Sequence, residues 1–211
     1  MINKIIVIDY GVGNILSIKN AILYHGYSPH ITNKKKDIES ASHIILPGVG
    51  AFPEAMKKLK DLDLINPILE AANKQTYLLG ICLGMQLLFT SSEEFETTNG
   101  LNLIKGNIIK LDKFNSNFNL KLPNIGWRNC EIDSKKNNIS ILKNLFSEDK
   151  FYFVHSYGLY NHDDDLNLVK SNYKNLEIPA VVNHKNIYGC QFHPEKSRVQ
   201  GLKVLKNFLE L

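Results

Sequence analysis

The sequence lacks the features that mark membrane-spanning, disulfide-rich and metal-binding proteins. Its 211 residues contain no apolar run of about 18 residues, so we expect no membrane span. It has only three cysteines, with no Cys-x-x-Cys pair and no His/Cys pairing, so we expect reduced thiols and no metal site. The N-terminal stretch is typical of a first strand and has no signal-peptide cleavage pattern. These absences predict a cytoplasmic protein.

A strong excess of charge of one sign is also absent. The net charge is only +4, and the lysines are spread along the chain, including Lys34, Lys35 and Lys36. No aromatic residues alternate with them, so a solvated face is expected and nucleic-acid binding is disfavoured. The sequence shows no internal repeat or linker-like segment. With 44% hydrophobic residues, it predicts a single domain over residues 1–211.

An apolar run ends in the motif Gly80-Ile81-Cys82-Leu83-Gly84, after which a helical pattern begins. A strand that turns abruptly into a helix around a nucleophile is the elbow of Gly-x-Ser-x-Gly hydrolases, here with sulfur. Gly80 and Gly84 would let neighbouring backbones approach closely, and the helix N-terminus would stabilise a thiolate at Cys82. Cys82 is therefore a candidate nucleophile. The elbow alone fits a buried, unreactive cysteine equally well.

A second motif supplies the base that a thiol nucleophile needs. His193-Pro194-Glu195 closes another apolar run and places a histidine and a carboxylate two positions apart. The carboxylate can orient the imidazole, which then takes a proton from the thiol. His155, at the end of a β-prone stretch, is a further candidate. The other histidines are expected to be surface or packing residues: His25, His30, His43, His162 and His184.

Two glycine-containing loops follow predicted strands. Pro47-Gly48-Val49-Gly50 follows the strand at residues 43–46, and its glycines permit the backbone conformation that an oxyanion hole requires. A simple loop explains this segment equally well. The first strand is followed by residues 11–13, a Gly-x-Gly turn that lacks the third glycine of a dinucleotide-binding fingerprint. A tight strand-to-helix turn is sufficient there.

Strands and helices alternate through much of the chain, which predicts an open, mostly parallel α/β sheet with helices on both faces. The site is expected at the carboxyl ends of the strands. Residues 179–184 and 187–192 predict a hairpin, and residues 93–140 predict short antiparallel strands along one edge of the sheet. We also expect a helix over residues 62–72 that is interrupted near Pro67, and a C-terminal helix capped by Ser197.

Together these motifs resemble the triad-type (class I) glutamine amidotransferases, and among them the glutaminase subunits of imidazole glycerol phosphate synthase in histidine biosynthesis. The resemblance spans essentially the whole chain. Besides the elbow, the 47–50 loop and the 193–195 motif, it rests on residues 9–14, on residues 154–157, and on Met85, where relatives in other pathways often have histidine. It implies the α/β fold predicted above.

The resemblance implies a role for each motif. Cys82 would attack the side-chain amide of L-glutamine to form a γ-glutamyl thioester, with His193 as base and then acid and Glu195 orienting the imidazole. The implied oxyanion donors and glutamine-binding residues are Leu83 and Gln86 after the elbow, Gly48, Val49 and Gly50 in the loop, and His155, Ser156 and Tyr157. No cofactor or metal is implied.

The resemblance also implies a partner. Ammonia would pass to a (β/α)8-barrel cyclase subunit in a heterodimer, which makes imidazole glycerol phosphate and an aminoimidazole carboxamide ribonucleotide. We expect Tyr10, Asn14 and Trp127 at that interface. The family usually has Pro-His-x-Gly-Trp-Asn where this chain has Pro-Asn-Ile-Gly-Trp-Arg at 123–128. The departure leaves open a paralogous glutaminase that supplies ammonia for amidation of a surface-polysaccharide sugar.

Two functions from other classes are alternatives. A catalytically dead binding module of the same fold would most simply lack a triad residue, yet Cys82, His193 and Glu195 are all present. A cysteine peptidase or deglycase on a related α/β fold would not need the 47–50 loop together with Gln86.

Overall fold

The computed structural model of the protein describes residues 4–115, 120–133 and 138–211. The α-helices among these residues are α1 (Ile15–Tyr24), α2 (Lys35–Glu39), α3 (Phe52–Asp61), α4 (Ile65–Asn73), α5 (Leu83–Leu87) and α6 (Arg198–Leu209). The strands are β1 (Ile5–Ile8), β2 (His30–Thr32), β3 (His43–Leu46), β4 (Tyr77–Ile81), β5 (Ser91–Ser92), β6 (Thr98–Asn99), β7 (Gly106–Lys110), β8 (Asn124–Asn129), β9 (Lys150–His155), β10 (Tyr157–His162), β11 (Asn167–Tyr173), β12 (Leu176–His184) and β13 (Ile187–Cys190). Within the described residues, no helix has both the length and the apolar character needed to span a membrane.

The main sheet has seven strands in the order β11-β12-β13-β4-β3-β1-β2. The strands from β13 to β2 run parallel, and the β11-β12-β13 edge is antiparallel. β1, β3 and β13 are buried along their whole length, which is typical of parallel strands covered on both faces. The predicted mostly parallel sheet with an antiparallel edge is confirmed, and so is the hairpin of β12 and β13.

Alternate residues of the central strands enter two separate hydrophobic clusters. Val7 and Leu79 pack with residues of α1 and α6 on one face of the sheet. Their neighbours Ile6 and Leu78 pack with residues of α3 and α4 on the other face. Successive side chains of a strand point to opposite faces, so this partition follows from strand geometry. Helices cover both faces of the sheet, as predicted.

The described part of residues 93–140 contains short strands, and β7 and β8 form antiparallel pairs as predicted, but these strands do not join the main sheet, so their predicted place at its edge is wrong. β7 joins β10, β5 and β6 in a separate four-stranded sheet, and β8 pairs with β9 in a two-stranded ribbon. An isolated bridge between Cys130 and Ser171 connects the end of this ribbon with the edge strand β11. The prediction failed because β7 and β8 each pair with a strand from residues 150–162, and a local sequence pattern does not reveal distant partners.

The helix predicted over residues 62–72 also differs. α3 ends at Asp61 and α4 begins at Ile65, so the break lies between them, where Asp63 has a φ of 53°. Pro67 lies in the first turn of α4. The N–H groups of a first turn have no intrahelical partner, and the fixed φ of proline suits the helix there. Pro67 therefore does not interrupt the helix.

Candidate active site

Cys82 lies at the sharp turn between β4 and α5, at the carboxyl end of its strand. Its backbone has φ 53° and ψ −108°, and it occupies the N-cap position of α5. A Cβ atom on Gly84 would lie 1.9 Å from the Leu46 carbonyl oxygen, and one on Gly80 would lie 2.6 Å from the Gly84 carbonyl oxygen. The close backbone approach predicted for these glycines is confirmed. It holds Cys82 at the edge of the sheet where the site was expected.

His193 and Glu195 form a buried pair just after β13. His193 Nδ1 lies 2.9 Å from Glu195 Oε1, and the two side chains are 2% and 1% exposed. Because a carboxylate oxygen accepts hydrogen bonds, Nδ1 carries a proton. His193 Nε2 is buried and has no hydrogen-bond partner among the described residues. The structure thus brings together the two residues that the sequence spacing paired, and it leaves Nε2 available for proton transfer.

The surroundings of His193 favour its protonated form. Burial lowers the pKa of His193, but interactions with Cys82 and Glu195 outweigh this effect and raise the pKa to about 10. An imidazolium beside a cysteine stabilises the thiolate, which is the nucleophilic form. His193 is therefore positively charged at neutral pH, beside the cavity that it shares with Cys82.

Ser197 secures the turn that carries His193. Its hydroxyl donates to the His193 carbonyl oxygen at 2.6 Å and accepts the Tyr152 N–H at 2.9 Å. The His193 N–H donates to the Tyr152 carbonyl oxygen at 2.9 Å, so three hydrogen bonds join His193, Ser197 and Tyr152 in a closed loop. Ser197 occupies the N-cap position of α6, as predicted, but its hydroxyl makes no capping bond with that helix. Its side chain anchors the His193 backbone to β9 instead.

Cys82 and His193 line a cavity of about 290 Å³. Most residues that the resemblance assigned to the substrate line it as well: Val49, Gly50, Leu83, Gln86, His155, Ser156 and Tyr157. Gly48 does not line the cavity; a Cβ there would lie 2.8 Å from Leu83 Cβ, so it packs against the elbow. The volume is at the lower end for small-molecule sites and suits a ligand the size of one amino acid. Larger openings of about 580 and 590 Å³ elsewhere have no histidine among the described residues that line them.

Gln86 connects the cavity wall with the nucleophile. Its Nε2 donates to the Tyr157 carbonyl oxygen and to Gln191 Oε1, each at 3.0 Å. Gln191 Nε2 in turn donates to Cys82 Sγ at 3.7 Å. Because both amide hydrogens of Gln86 are engaged, Oε1 is the atom with which it can contact a ligand. Sequence reasoning missed Gln191, although a polar residue between the apolar neighbours of a predicted strand was a usable signal.

Glu94 also lines the cavity and was not predicted. One carboxylate oxygen accepts the Phe52 N–H at 2.7 Å at the start of α3. Burial raises the pKa of Glu94 despite that bond. Among the described residues of the lining, it is the one with an acidic side chain. Residues 93–96 contain three glutamates, and no pattern in the sequence indicates which of them reaches the cavity. Across residues 4–115, 120–133 and 138–211, the cavity included, no group of three or more His, Cys, Asp or Glu is placed to hold a metal ion.

The residues predicted at a partner interface lie in different settings. Tyr10 does not fit the prediction, because its side chain is 2% exposed and its hydroxyl donates to the Pro47 carbonyl oxygen at 2.7 Å. Tyr10 therefore braces the 47–50 loop from inside the protein. Asn14 and Trp127 are half-buried, and the Arg198 guanidinium lies 4.8 Å from the centre of a Trp127 ring. Both keep accessible surface for a partner contact.

Comparisons with known proteins agree with this geometry. A sequence model of the family described as "Glutamine amidotransferase class-I" matches residues 6–211. The chain is 43% identical over 205 residues to "Imidazole glycerol phosphate synthase subunit HisH" of Caldanaerobacter subterraneus subsp. tengcongensis, which covers 97% of each chain. It is 43% identical over 207 residues to the protein of the same name from Lactococcus lactis, covering 98% of each.

A solved structure shows the same fold at low sequence identity. "Crystal structure of glutamine amidotransferase" has a TM-score of 0.75 and 15% identity, covering 98% of this chain and 97% of that chain. The match to the family model and the sequence identity over nearly the full length indicate the same family, and the solved structure has the same fold. The chain therefore belongs to the class-I glutamine amidotransferase family.

Proposed function

We propose that this chain is the glutaminase subunit of an imidazole glycerol phosphate synthase. It hydrolyses L-glutamine to glutamate and ammonia and delivers the ammonia to a cyclase subunit. The observation that carries the chemistry is the His193–Glu195 pair at a cavity that His193 shares with Cys82. The pathway is supported by 43% identity to subunits of that enzyme.

In the first step the Cys82 sulfur attacks the side-chain carbonyl carbon of glutamine, and a C–S bond forms. The attacking species is the thiolate, whose proton His193 has taken through Nε2, and the electrons of the C=O π bond move to the oxygen. His193 is therefore an imidazolium in this step, with its Nδ1–H held by Glu195. When the tetrahedral intermediate collapses, the C–N bond breaks and Nε2 gives its proton to the leaving nitrogen. Ammonia departs, and a γ-glutamyl thioester remains on Cys82.

In the second step water attacks the thioester carbon. His193, now neutral, takes a proton from the water through Nε2, the C–S bond breaks and glutamate leaves. Nε2 thus acts as base toward the thiol, then as acid toward the leaving nitrogen, and again as base toward the water, which requires that the other proton stays on Nδ1. The 2.9 Å hydrogen bond between His193 Nδ1 and Glu195 Oε1 supports this assignment, because it holds a proton on Nδ1 and leaves Nε2 for proton transfer.

The carbonyl oxygen of glutamine carries a negative charge in both tetrahedral intermediates. We assign its donors to the Leu83 N–H and to N–H groups of the 47–50 loop, which packs against the start of α5. Gly50 has a φ of 96°, a conformation that favours glycine, and Val49 is 41% exposed. One such donor lowers the barrier by typically about 3 kcal/mol, so the orientation of this loop sets the hydrolysis rate.

The other end of the substrate carries an ammonium and a carboxylate group. Glu94 supplies a negative charge and Gln86 Oε1 an acceptor, and both suit the ammonium. The cavity of about 290 Å³ suits a ligand the size of one amino acid, as glutamine is. The intact set of Cys82, His193 and Glu195 argues against a dead binding module.

The names of the relatives support our proposal for the acceptor of the ammonia. We infer a (β/α)8-barrel cyclase subunit that makes imidazole glycerol phosphate and an aminoimidazole carboxamide ribonucleotide, with Asn14 and Trp127 at the contact. A surface-polysaccharide sugar as the acceptor gains no support from these relatives.

Glutamate release from glutamine tests the proposal. The purified chain is assayed alone and then with the cyclase subunit of the same genome and its nucleotide substrate. We expect slow release alone and an increase by orders of magnitude in the full mixture. Cys82→Ala is expected to abolish release throughout, whereas the matched control Cys130→Ala, which removes a thiol outside the cavity, retains it.

The possible failures are distinct. Glutamate release by Cys82→Ala would refute the assigned nucleophile. Release that does not respond to the cyclase mixture would refute the pathway and leave the glutaminase chemistry standing. No release under any condition would refute both.

A further inference from the structure

A chain of hydrogen bonds leads from the surface of the β8–β9 ribbon into the cavity. Arg128 Nε donates to Asn124 Oδ1 at 3.2 Å, and Asn124 Nδ2 lies 3.0 Å from His155 Nε2. His155 Nδ1 lies 2.8 Å from the Tyr157 carbonyl oxygen, which also accepts the Gln86 amide. Arg128 and Asn124 lie outside the cavity lining and take no part in the proposed reaction.

The chemistry of the end groups fixes the direction of each bond. The Tyr157 carbonyl oxygen accepts, so His155 Nδ1 carries a proton. A guanidinium only donates, so Arg128 keeps the Asn124 carbonyl oxygen toward itself and the Asn124 NH2 group toward His155. That NH2 group also only donates. His155 Nε2 must therefore be an unprotonated acceptor, and the ring is neutral.

A His155 ring protonated on both nitrogens is incompatible with these hydrogen bonds. A proton on Nε2 would face the Asn124 NH2 group, one donor against another. Rotating the Asn124 amide by half a turn would relieve that contact but would set its NH2 group against the Arg128 N–H. Arg128 is itself held 4.9 Å above the Tyr173 ring centre and donates to the Trp127 carbonyl oxygen at 3.4 Å.

We propose that Arg128 and Asn124 are positioning residues that lock His155 as the neutral, Nδ1-protonated tautomer. The lock orients the Tyr157 carbonyl oxygen, which Gln86 shares, and Gln86 continues through Gln191 to Cys82 Sγ. The effect of the lock on hydrolysis rests on the proposed glutaminase function, whereas the lock itself does not.

The charges that face His155 explain why its neutrality matters. Burial and, to a smaller extent, the charge of His193 lower the pKa of His155 to about 4, against the hydrogen bond to Tyr157. Cys82 and Glu94 line the same cavity, and Arg128 adds a positive charge behind Asn124. A cationic His155 would repel the His193 imidazolium and attract Glu94. A neutral His155 leaves Glu94 to the substrate ammonium.

Nitrogen NMR of the full chain with 15N-labelled histidine shows directly which ring nitrogen of His155 carries the proton. At pH 7 we expect His155 to carry its proton on Nδ1 and none on Nε2. Arg128→Met frees the Asn124 amide to rotate and accept a proton from Nε2. The titration midpoint of His155 is then expected to rise by about one unit or more, a tenfold gain in proton affinity. Lys150→Met, which removes an exposed cation from the same ribbon, is the matched control and leaves the midpoint unchanged.

A double-variant cycle separates the lock from simple removal of charge. In an Asn124→Ala background, Arg128→Met has no amide to release, so we expect no further rise of the midpoint. A rise of equal size in both backgrounds would overturn the lock, because it would be a Coulomb effect. Wild-type His155 protonated on Nε2 at pH 7 would overturn it without any variant.

The effect on activity has its own readout. In Arg128→Met the acid limb of kcat/KM for glutamine is expected to move to higher pH by the same shift as the His155 midpoint. An unmoved limb beside a shifted midpoint would overturn the catalytic part of the proposal. If the NMR results hold and no variant or wild type hydrolyses glutamine, the lock stands and the proposed function fails.

Discussion

Lowering the pH from 7 to 5 is expected to destabilise the protein by about 2 kcal/mol through His155 alone. The pKa of this buried side chain is about 4 in the folded protein, against an ordinary value of 6.5. Because the folded-state pKa is the lower one, the unfolded chain binds the proton first. The stabilisation is therefore present above about pH 6.5 and is lost as the pH falls toward 4. Linkage between these two pKa values gives a loss of about 2 kcal/mol at pH 5 and about 3 kcal/mol at pH 4.

Urea unfolding at pH 7 and pH 5 measures this loss. Wild type is compared with His155→Gln, in which the titrating group is gone. We expect the free energy of unfolding of wild type to fall by about 2 kcal/mol more than that of the variant. His162→Gln, at the end of β10, controls for removal of a histidine outside the cavity. Equal pH responses of wild type and His155→Gln would refute the reasoning, and so would a His155 titration midpoint near 6.5 in wild type.

Three further predictions concern the triad, the cavity and the elbow. Glu195→Gln removes a charge that raises the pKa of His193, so glutamate release at pH 7 is expected to fall about 100-fold or more. Glu94→Gln removes the acidic group of the cavity lining, so initial rates are expected to show a several-fold higher KM for glutamine and little change in kcat. Gly84→Ala places a Cβ 1.9 Å from the Leu46 carbonyl oxygen, so urea titration is expected to show a loss of about 1–3 kcal/mol in the free energy of unfolding. Wild-type values for any of these variants would contradict the corresponding assignment.

The central sheet and the elbow could be predicted because short segments encode them. Short apolar runs, such as all four residues of β1 and residues 44–46 of β3, carry the pattern of strands buried on both faces. Gly80 and Gly84 on either side of Cys82 specify a turn that tolerates no side chains there, and the structure has that turn. The spacing of His193 and Glu195 was sufficient to predict their contact, because two residues at a strand end can meet without help from the rest of the chain.

Features that depend on distant partners could not be predicted. β8 ends at Asn129 and pairs with β9, which begins only at Lys150, and no local sequence pattern identifies such a distant partner. Tyr10 was expected at the surface, but it finds a hydrogen-bond acceptor in the Pro47 carbonyl oxygen of another loop and is buried there. Glu94 and Gln191 are single polar residues whose position at the cavity arises only when separate elements pack together. The Asn124–His155 contact likewise exists only through the β8–β9 pairing.

Covalent labelling tests the central claim, that Cys82 is the nucleophile of a glutamine site, most directly. The full chain is treated with a glutamine analogue that carries a diazoketone in place of the side-chain amide, and the modified residue is mapped by mass spectrometry. All three cysteines are largely buried, but only Cys82 among them lines the cavity, and burial raises the pKa values of the Cys130 and Cys190 thiols. We predict a single adduct, on Cys82, that excess glutamine suppresses. An adduct on another residue, or labelling of Cys82 that glutamine does not suppress, would contradict the account.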